Sequence, residues 1–144
     1  MVICCDTSFL FSLYGNDTHS ERAIKWIIRC RYALNLSVFN NYELGNALRF
    51  AEFRKLIRKE EAATYWAQFE AAISRNRLIM ETCNLADILN EANRLSATHT
   101  LTEGHRSFDI LHVASALVMG AKKFLTFDAN QRILALSEGL ESPL

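Results

Sequence analysis

The sequence predicts an α/β fold built on a mostly parallel sheet, and three observations predict it. Short apolar runs alternate with helical stretches along the whole chain, the pattern of strand–helix–strand units. Four acidic residues, Asp6, Glu43, Asp109 and Asp128, each stand at or near a helix start. In a parallel sheet the carboxyl ends of the strands share one edge, and helices begin there. Finally, half of the 144 residues are apolar, which suits one core. With one proline, five glycines and no visible linker or repeat, the sequence reads as one domain over residues 1–144.

The elements follow in order. Residues 2–5 read as a short buried strand, and residues 7–14 as a short helix ended by Gly15-Asn16. Thr18-His-Ser-Glu21 has the form of a capping box, with Thr18 as N-cap. The helix it opens runs to about Tyr32, with Ala23, Ile24, Ile27 and Ile28 inward. Residues 33–38 read as the second strand. A helix follows from Asn41 to about Ala51, with Asn40 as its cap and Leu44, Ala47, Leu48 and Ala51 at i, i+3, i+4, i+7 spacing. Residues 60–74 are helical and carry Ala63, Trp66, Ala67 and Glu70. Residues 77–81 read as the third strand. The next helix spans 85–98 with Ile88, Leu89, Ala92 and Leu95 inward, and residues 100–106 read as a loop. Residues 108–119 form the most apolar helix, whose Ala114-Ser115-Ala116 segment allows close approach to a sheet. Gly120 suits the position just past its end. Residues 123–127 make the fourth strand and 129–137 the last helix; the tail is either an edge strand or frayed.

Composition narrows the function. Sixteen basic and sixteen acidic residues cancel, so overall charge gives no support for nucleic-acid binding. Zero net charge with a pI near 6.9 predicts poor colloidal stability or a surface covered by a partner. The cations are clustered, though: Arg49, Arg54, Lys55, Arg58 and Lys59 follow Glu43, and Arg22, Lys25, Arg29 and Arg31 form a second group. They read either as solvated helix faces or as a phosphate-tracking rim. Cys4, Cys5, Cys30 and Cys83 show no ligand spacing and read as free, mostly buried thiols of a reducing, cytoplasmic setting. No signal peptide or membrane-spanning stretch is visible. Walker, GxGxxG and GxSxG motifs are absent.

The four acids carry the chemistry. Each alone could be a helix cap or first-turn acid favoured by the helix dipole. Together, carboxylates converging within about 4 Å repel by roughly 4 kcal/mol per pair at an effective ε of about 20. Protonation or a divalent cation must relieve that. Oxygen donors without thiolate or paired-histidine spacing suit Mg²⁺ or Mn²⁺. Metal-assisted phosphodiester hydrolysis is the leading expectation. His112, inside the apolar helix, reads better as a hydrogen-bonded core histidine than as a ligand or base. Arg106 could contact a phosphate or pair with an acid of the site. Trp26, Trp66 and the phenylalanines read as core or interface rather than as a base-stacking array.

Asp6-Thr-Ser-Phe-Leu, Tyr42-Glu-Leu-Gly-Asn-Ala-Leu48, Ser107-Phe-Asp-Ile-Leu-His-Val-Ala-Ser-Ala-Leu117 and Leu125-Thr-Phe-Asp-Ala-Asn-Gln131 stand in one order along the chain. Together they resemble the PIN-domain family, and most closely VapC-type toxins of bacterial toxin–antitoxin pairs. The resemblance covers essentially the whole chain. It implies a three-layer α/β/α fold and Mg²⁺- or Mn²⁺-dependent RNA cleavage by Asp6, Glu43, Asp109 and Asp128. Asp6, Glu43 and Asp109 would hold the metal; Asp128 would complete a second site or orient the water. Thr7, Asn46 and Thr126 would support the acids, and Arg49, Arg54 and Arg106 would bind substrate. The expected partners are an RNA substrate, a separately encoded antitoxin protein and a second copy of the chain. The homodimer follows from apolar helix residues in excess of one core, among them Leu10, Phe11, Leu13, Phe50, Phe53 and Trp66. Two other readings remain: a catalytically silent module that binds RNA or protein, and a DNA-directed nuclease. A receiver or phosphatase domain fits poorly, because Asp6 is followed by Thr7-Ser8 rather than by a second aspartate.

Overall fold

A computed structural model describes residues 1–144. In chain order the elements are β1 (Ile3–Cys5), α1 (Thr7–Tyr14), α2 (Ser20–Arg29), β2 (Leu34–Leu36), α3 (Val38–Phe53), α4 (Glu61–Ser74), β3 (Leu78–Met80), α5 (Leu85–Leu95), α6 (Leu101–Glu103), α7 (Ser107–Val118), β4 (Lys123–Leu125) and α8 (Ala129–Ser137). All ladders between these strands are parallel: β1 pairs with β4, and β2 with β3.

Side chains alternate across a strand, so one strand feeds two cores. Ile3, Cys5 and Leu125 pack with Phe9, Leu10, Leu44 and Phe69 of α1, α3 and α4. Cys4 and Phe124 pack on the other face with Ile88, Val113 and Leu134 of α5, α7 and α8. The result is the three-layer α/β/α arrangement. Ala114, Ser115 and Ala116 are all buried, as the close approach of α7 to β1 requires.

The sheet has a seam. β1 and β2 lie side by side but share no ladder. Two buried asparagines serve backbone groups there. Ile3 N donates to Asn35 Oδ1 at 3.3 Å, and Asn40 Nδ2 donates to Cys5 O at 3.1 Å. A side-chain amide holds both donor and acceptor, so it can replace missing ladder bonds.

Several element boundaries differ from the sequence reading. α3 begins at Val38 and is capped by Ser37, whose N–H donates to Asn40 Oδ1 at 3.0 Å. Asn40 is therefore a third helical residue rather than the cap. Val38 and Phe39 continue the apolar run of β2, which hides the helix start. α2 begins at Ser20, and Thr18 does not cap it; the stronger acceptor nearby, Asp17, takes the His19 N–H at 2.8 Å. In α2 only Ala23 is fully buried, and Ile28 is 75 % exposed. Trp26 turns inward instead, edge-on to Phe9 at 6.4 Å, and rotates the buried stripe away from Ile24 and Ile28. Residues 100–106 are not one loop: a π-helical turn (Ser96–Thr100) leads into α6, and helix persists to Glu103 before Gly104 at φ +70°. Leu89 is exposed. Gly120 lies just past α7 at φ +69°, as expected. The tail takes the edge-strand alternative, with Glu141 bridged to Lys123 and Leu140 and Ser142 buried.

Candidate active site

Asp6 sits between β1 and α1 and caps that helix. Its Oδ1 accepts from Phe9 N at 2.8 Å, and its Oδ2 accepts from Ser8 Oγ at 2.5 Å. Thr126 Oγ1 lies 3.0 Å from the same Oδ2 and 2.9 Å from Gln131 Oε1. One hydroxyl proton serves only one of these acceptors at a time. Thr126 Oγ1 also accepts from Asp128 N at 3.0 Å. Thus the loops after β1 and β4 meet at one threonine. Their junction is set by the β1–β4 ladder, extended by Asp6 N donating to Leu125 O at 3.1 Å. Burial pushes the Asp6 carboxyl above its ordinary value. Ser8, Phe9 N–H, His112 and Thr126 offset only part of that.

Glu43 enters from α3, one turn beyond Asn40. Its Oε2 lies 3.5 Å from His112 Nε2. Burial pushes this carboxyl up, but the hydrogen bond and charge of His112, with help from Thr7 and Arg106, outweigh it. The net position is below the ordinary carboxylate range. His112 is buried in α7 and touches both α1 and α3. Its Nε2 is 3.2 Å from Thr7 Oγ1, and its Nδ1 is 3.4 Å from Asn40 Nδ2. Because Asn40 also donates to Cys5 O, its amide faces His112 with N–H, so Nδ1 accepts. In the neutral ring the proton then sits on Nε2, aimed at Thr7 and Glu43. His112 is thus a hydrogen-bonded core histidine that also contacts an acid of the cleft.

Asp109 and Asp128 form the outer side. Arg106, at the N-cap position of α7, donates from Nε to Asp109 Oδ2 at 2.8 Å, and its Nη2 is 3.7 Å from Asp128 Oδ2. Asp128 caps α8 through Gln131 N at 2.8 Å. Gln131 is buried and also donates to Asp109 O at 3.1 Å, tying α8 to α7. His105, buried just before α7, bonds Glu103 at 2.6 Å and Asn130 at 3.3 Å. It anchors the segment that carries Arg106 and Asp109.

Of the remaining predicted site residues, Thr7 and Thr126 lie at the acids. Asn46 is exposed one turn beyond Glu43, without a hydrogen bond to them. Arg49 faces a groove with Gly45 and Trp66, and Arg54 lies over the Phe50 ring. Ser8, Asn40 and Gln131 escaped the sequence reading as site residues. Gln131 has a signal as the third residue of the Asp128 cap; Asn40 has none, because Val38 and Phe39 hide the start of α3.

The donor set is all oxygen, which fits a hard divalent cation. As the side chains stand, however, no three histidine, cysteine or acidic residues are arranged to hold an ion. Arg106 supplies positive charge to the outer acids, and His112 does so beside Glu43 when protonated. Arg106 competes with a cation for one oxygen of Asp109 and stands near one oxygen of Asp128.

Comparison with known proteins agrees with this architecture. A family profile described as "PIN domain" matches residues 3–136. The fold is similar to the crystal structure of FitAcB from Neisseria gonorrhoeae, with TM-score 0.67 and 16 % identity over 98 % of this chain and 96 % of that one. It is also similar to PAE2754 from Pyrobaculum aerophilum, with TM-score 0.58 and 20 % identity over 99 % and 89 % of the two chains. No curated protein matches the chain significantly.

Proposed function

This chain belongs to the PIN-domain family, and we propose that it is a Mg²⁺- or Mn²⁺-dependent endoribonuclease acting as the toxin of a toxin–antitoxin pair. PIN domains are generally metal-dependent nucleases. One observation supports the rest: the four acids come from four separate segments, where Thr126 joins Asp6 to Asp128, Arg106 joins Asp109 to Asp128, and His112 meets Glu43 and the Thr7 next to Asp6.

Asp6, Glu43 and Asp109 would hold the cation, with Asp128 at a second site or orienting the water. A bound divalent ion supplies a water of lowered pKa and offsets charge on the phosphate. The chain's own residues do the rest. Ser8, Phe9 N–H and Thr126 fix the Asp6 carboxylate. His112 and Thr7 keep Glu43 ionised and oriented. Arg106, once displaced from the acids, is placed to meet a phosphate oxygen. Purified protein should cleave labelled RNA with Mg²⁺ or Mn²⁺ and stop with chelator. Undiminished cleavage after exhaustive chelation sinks the metal mechanism, and preference for DNA in a side-by-side assay sinks the RNA assignment. The Arg106 pairing favours one second reading, a silent binding module; absence of any metal-dependent cleavage would select it.

The toxin role predicts a neutralising protein. The groove between α3 and α4, about 420 Å³ and lined by Gly45, Arg49, Ala63, Trp66 and Ala67, suits a folded-on antitoxin segment. At its floor a Cβ on Gly45 would crowd the Arg49 guanidinium, 3.0 Å away, and touch the Trp66 ring at 3.4 Å. Expression of the chain should slow growth, and its genetic neighbour should rescue it; harmless overexpression of active protein rejects the toxin role. Of the residues expected to drive a homodimer, Leu10 is fully buried; the dimer is proposed instead on exposed apolar residues of α5 and α8, such as Leu85, Leu89 and Leu136. A monomer by light scattering at high micromolar concentration counts against it.

A further inference from the structure

Two large aromatic side chains stand in water at the far end of α3. Phe50 is 54 % and Phe53 81 % exposed. Their rings are nearly parallel, 22° apart, with centroids 6.2 Å apart. The Arg54 guanidinium lies 5.7 Å from the Phe50 centroid. Lys55 and Lys59 are exposed beside them. The acids nearby are mostly engaged: Glu52 accepts from Ala62 N at 3.1 Å, and Glu61 accepts from Tyr65 Oη at 2.9 Å. What faces outward here is chiefly ring and cation, with Leu56 71 % exposed and Glu60 exposed at the edge of the patch.

Helix phase links this patch to the cleft. Glu43 and Phe50 are seven residues apart, two turns, on one face and about 10 Å along the axis. Asn46, exposed, lies between them on the same face. The groove with Gly45, Arg49 and Trp66 opens on a different side of the helix. Aromatic faces interleaved with cations are what single-stranded nucleic acid uses: bases stack and phosphates pair. Protein interfaces, by contrast, are depleted in lysine at their core.

We propose that the Glu43–Asn46–Phe50–Phe53 face of α3 is a track for single-stranded RNA, with Phe50 and Phe53 stacking bases and Arg54, Lys55 and Lys59 meeting phosphates beyond the cut. This rests on the ribonuclease reading. The test is fluorescence anisotropy of a fluorescein-labelled single-stranded RNA of mixed sequence, with chelator present so that nothing is cut. F50A/F53A should weaken binding on the order of tenfold or more. F50Y/F53Y should restore it, because the ring faces return, and F50L/F53L should not. Unchanged affinity in F50A/F53A overturns the track, and so does full rescue by leucine. A fall in light-scattering mass with RNA affinity unchanged assigns the face to a second copy of the chain and also overturns it. RNA cleavage by F50A/F53A at the wild-type rate keeps the nuclease and removes the track. Wild-type chain that binds RNA through the rings but cuts nothing keeps the track and removes the nuclease.

Discussion

Asp6 and Asp109 belong to one cleft but are held in opposite ways. Asp6 is buried and fixed by a backbone N–H, Ser8 and Thr126 on three sides. Asp109 is partly open, and the partner of its carboxylate is Arg106, whose side chain is 78 % exposed. The inner half is preorganised and carries a desolvation penalty that its hydrogen bonds and His112 only partly offset. The outer half gains little from its ion pair, since exposed pairs are worth about 0–1 kcal/mol. A long, exposed arginine can leave cheaply. The difference separates a fixed carboxylate that defines the site from a movable one that completes it.

The largest expected effect ignores the difference. Asp6→Asn and Asp109→Asn should each lower metal-dependent RNA cleavage more than about 100-fold, because a metal contributes several kcal/mol to the transition state. Near-wild-type rates in either variant would remove that acid from the mechanism. Stability should then split the halves. Asp6→Ala removes a helix cap and should cost about 1–2 kcal/mol, whereas Asp109→Ala should cost less than about 1 kcal/mol. Urea melts of the two would break the comparison if the losses came out equal.

A pH series sharpens it further. Asp6 titrates higher folded than unfolded, so its contribution to stability is present in full below the ordinary carboxylate value. That contribution is lost as pH rises through the raised one. Glu43 is shifted the other way; its contribution is present above the ordinary value and is lost as pH falls through the lowered one. Asp6→Asn should therefore flatten the fall in metal-free stability above the ordinary carboxylate range. Melting curves that keep that fall in the variant would reject Asp6 as its source. The smallest effect concerns Arg106. Arg106→Ala should tighten Mn²⁺ binding a few-fold by calorimetry, by removing a competing cation from the outer acids. Weaker binding would make Arg106 a support for the site rather than a competitor.

Much of this was legible in the chain. The alternation of apolar runs with helices gave every strand, and Ala114-Ser115-Ala116 gave the tight packing of α7. Asp6 and Asp128 stand where expected, because a strand end followed by a capping residue is a local signal. Glu43 lies in the expected helix but one turn deeper in it, since Val38 and Phe39 look like strand. What stayed hidden depends on partners far along the chain. His112 meeting Thr7 and Asn40, and Gln131 spanning to Asp109, are contacts between segments that no local pattern records. Phe50 and Phe53 are apolar, and an apolar helix residue says nothing about which side of the molecule it faces.

The seam between β1 and β2 has a consequence for how the molecule breathes. Backbone ladders within each strand pair are continuous, but across the seam Ile3 N–H rests on one side-chain oxygen. Amide protection follows the least costly opening that frees a given N–H. In deuterium exchange Ile3 should label ahead of Phe124, whose N–H is held by Glu141 O at 2.9 Å on the outer edge of β4. The sheet would then open as two leaves hinged at its middle, with Asp6 on one leaf and the start of α3 on the other.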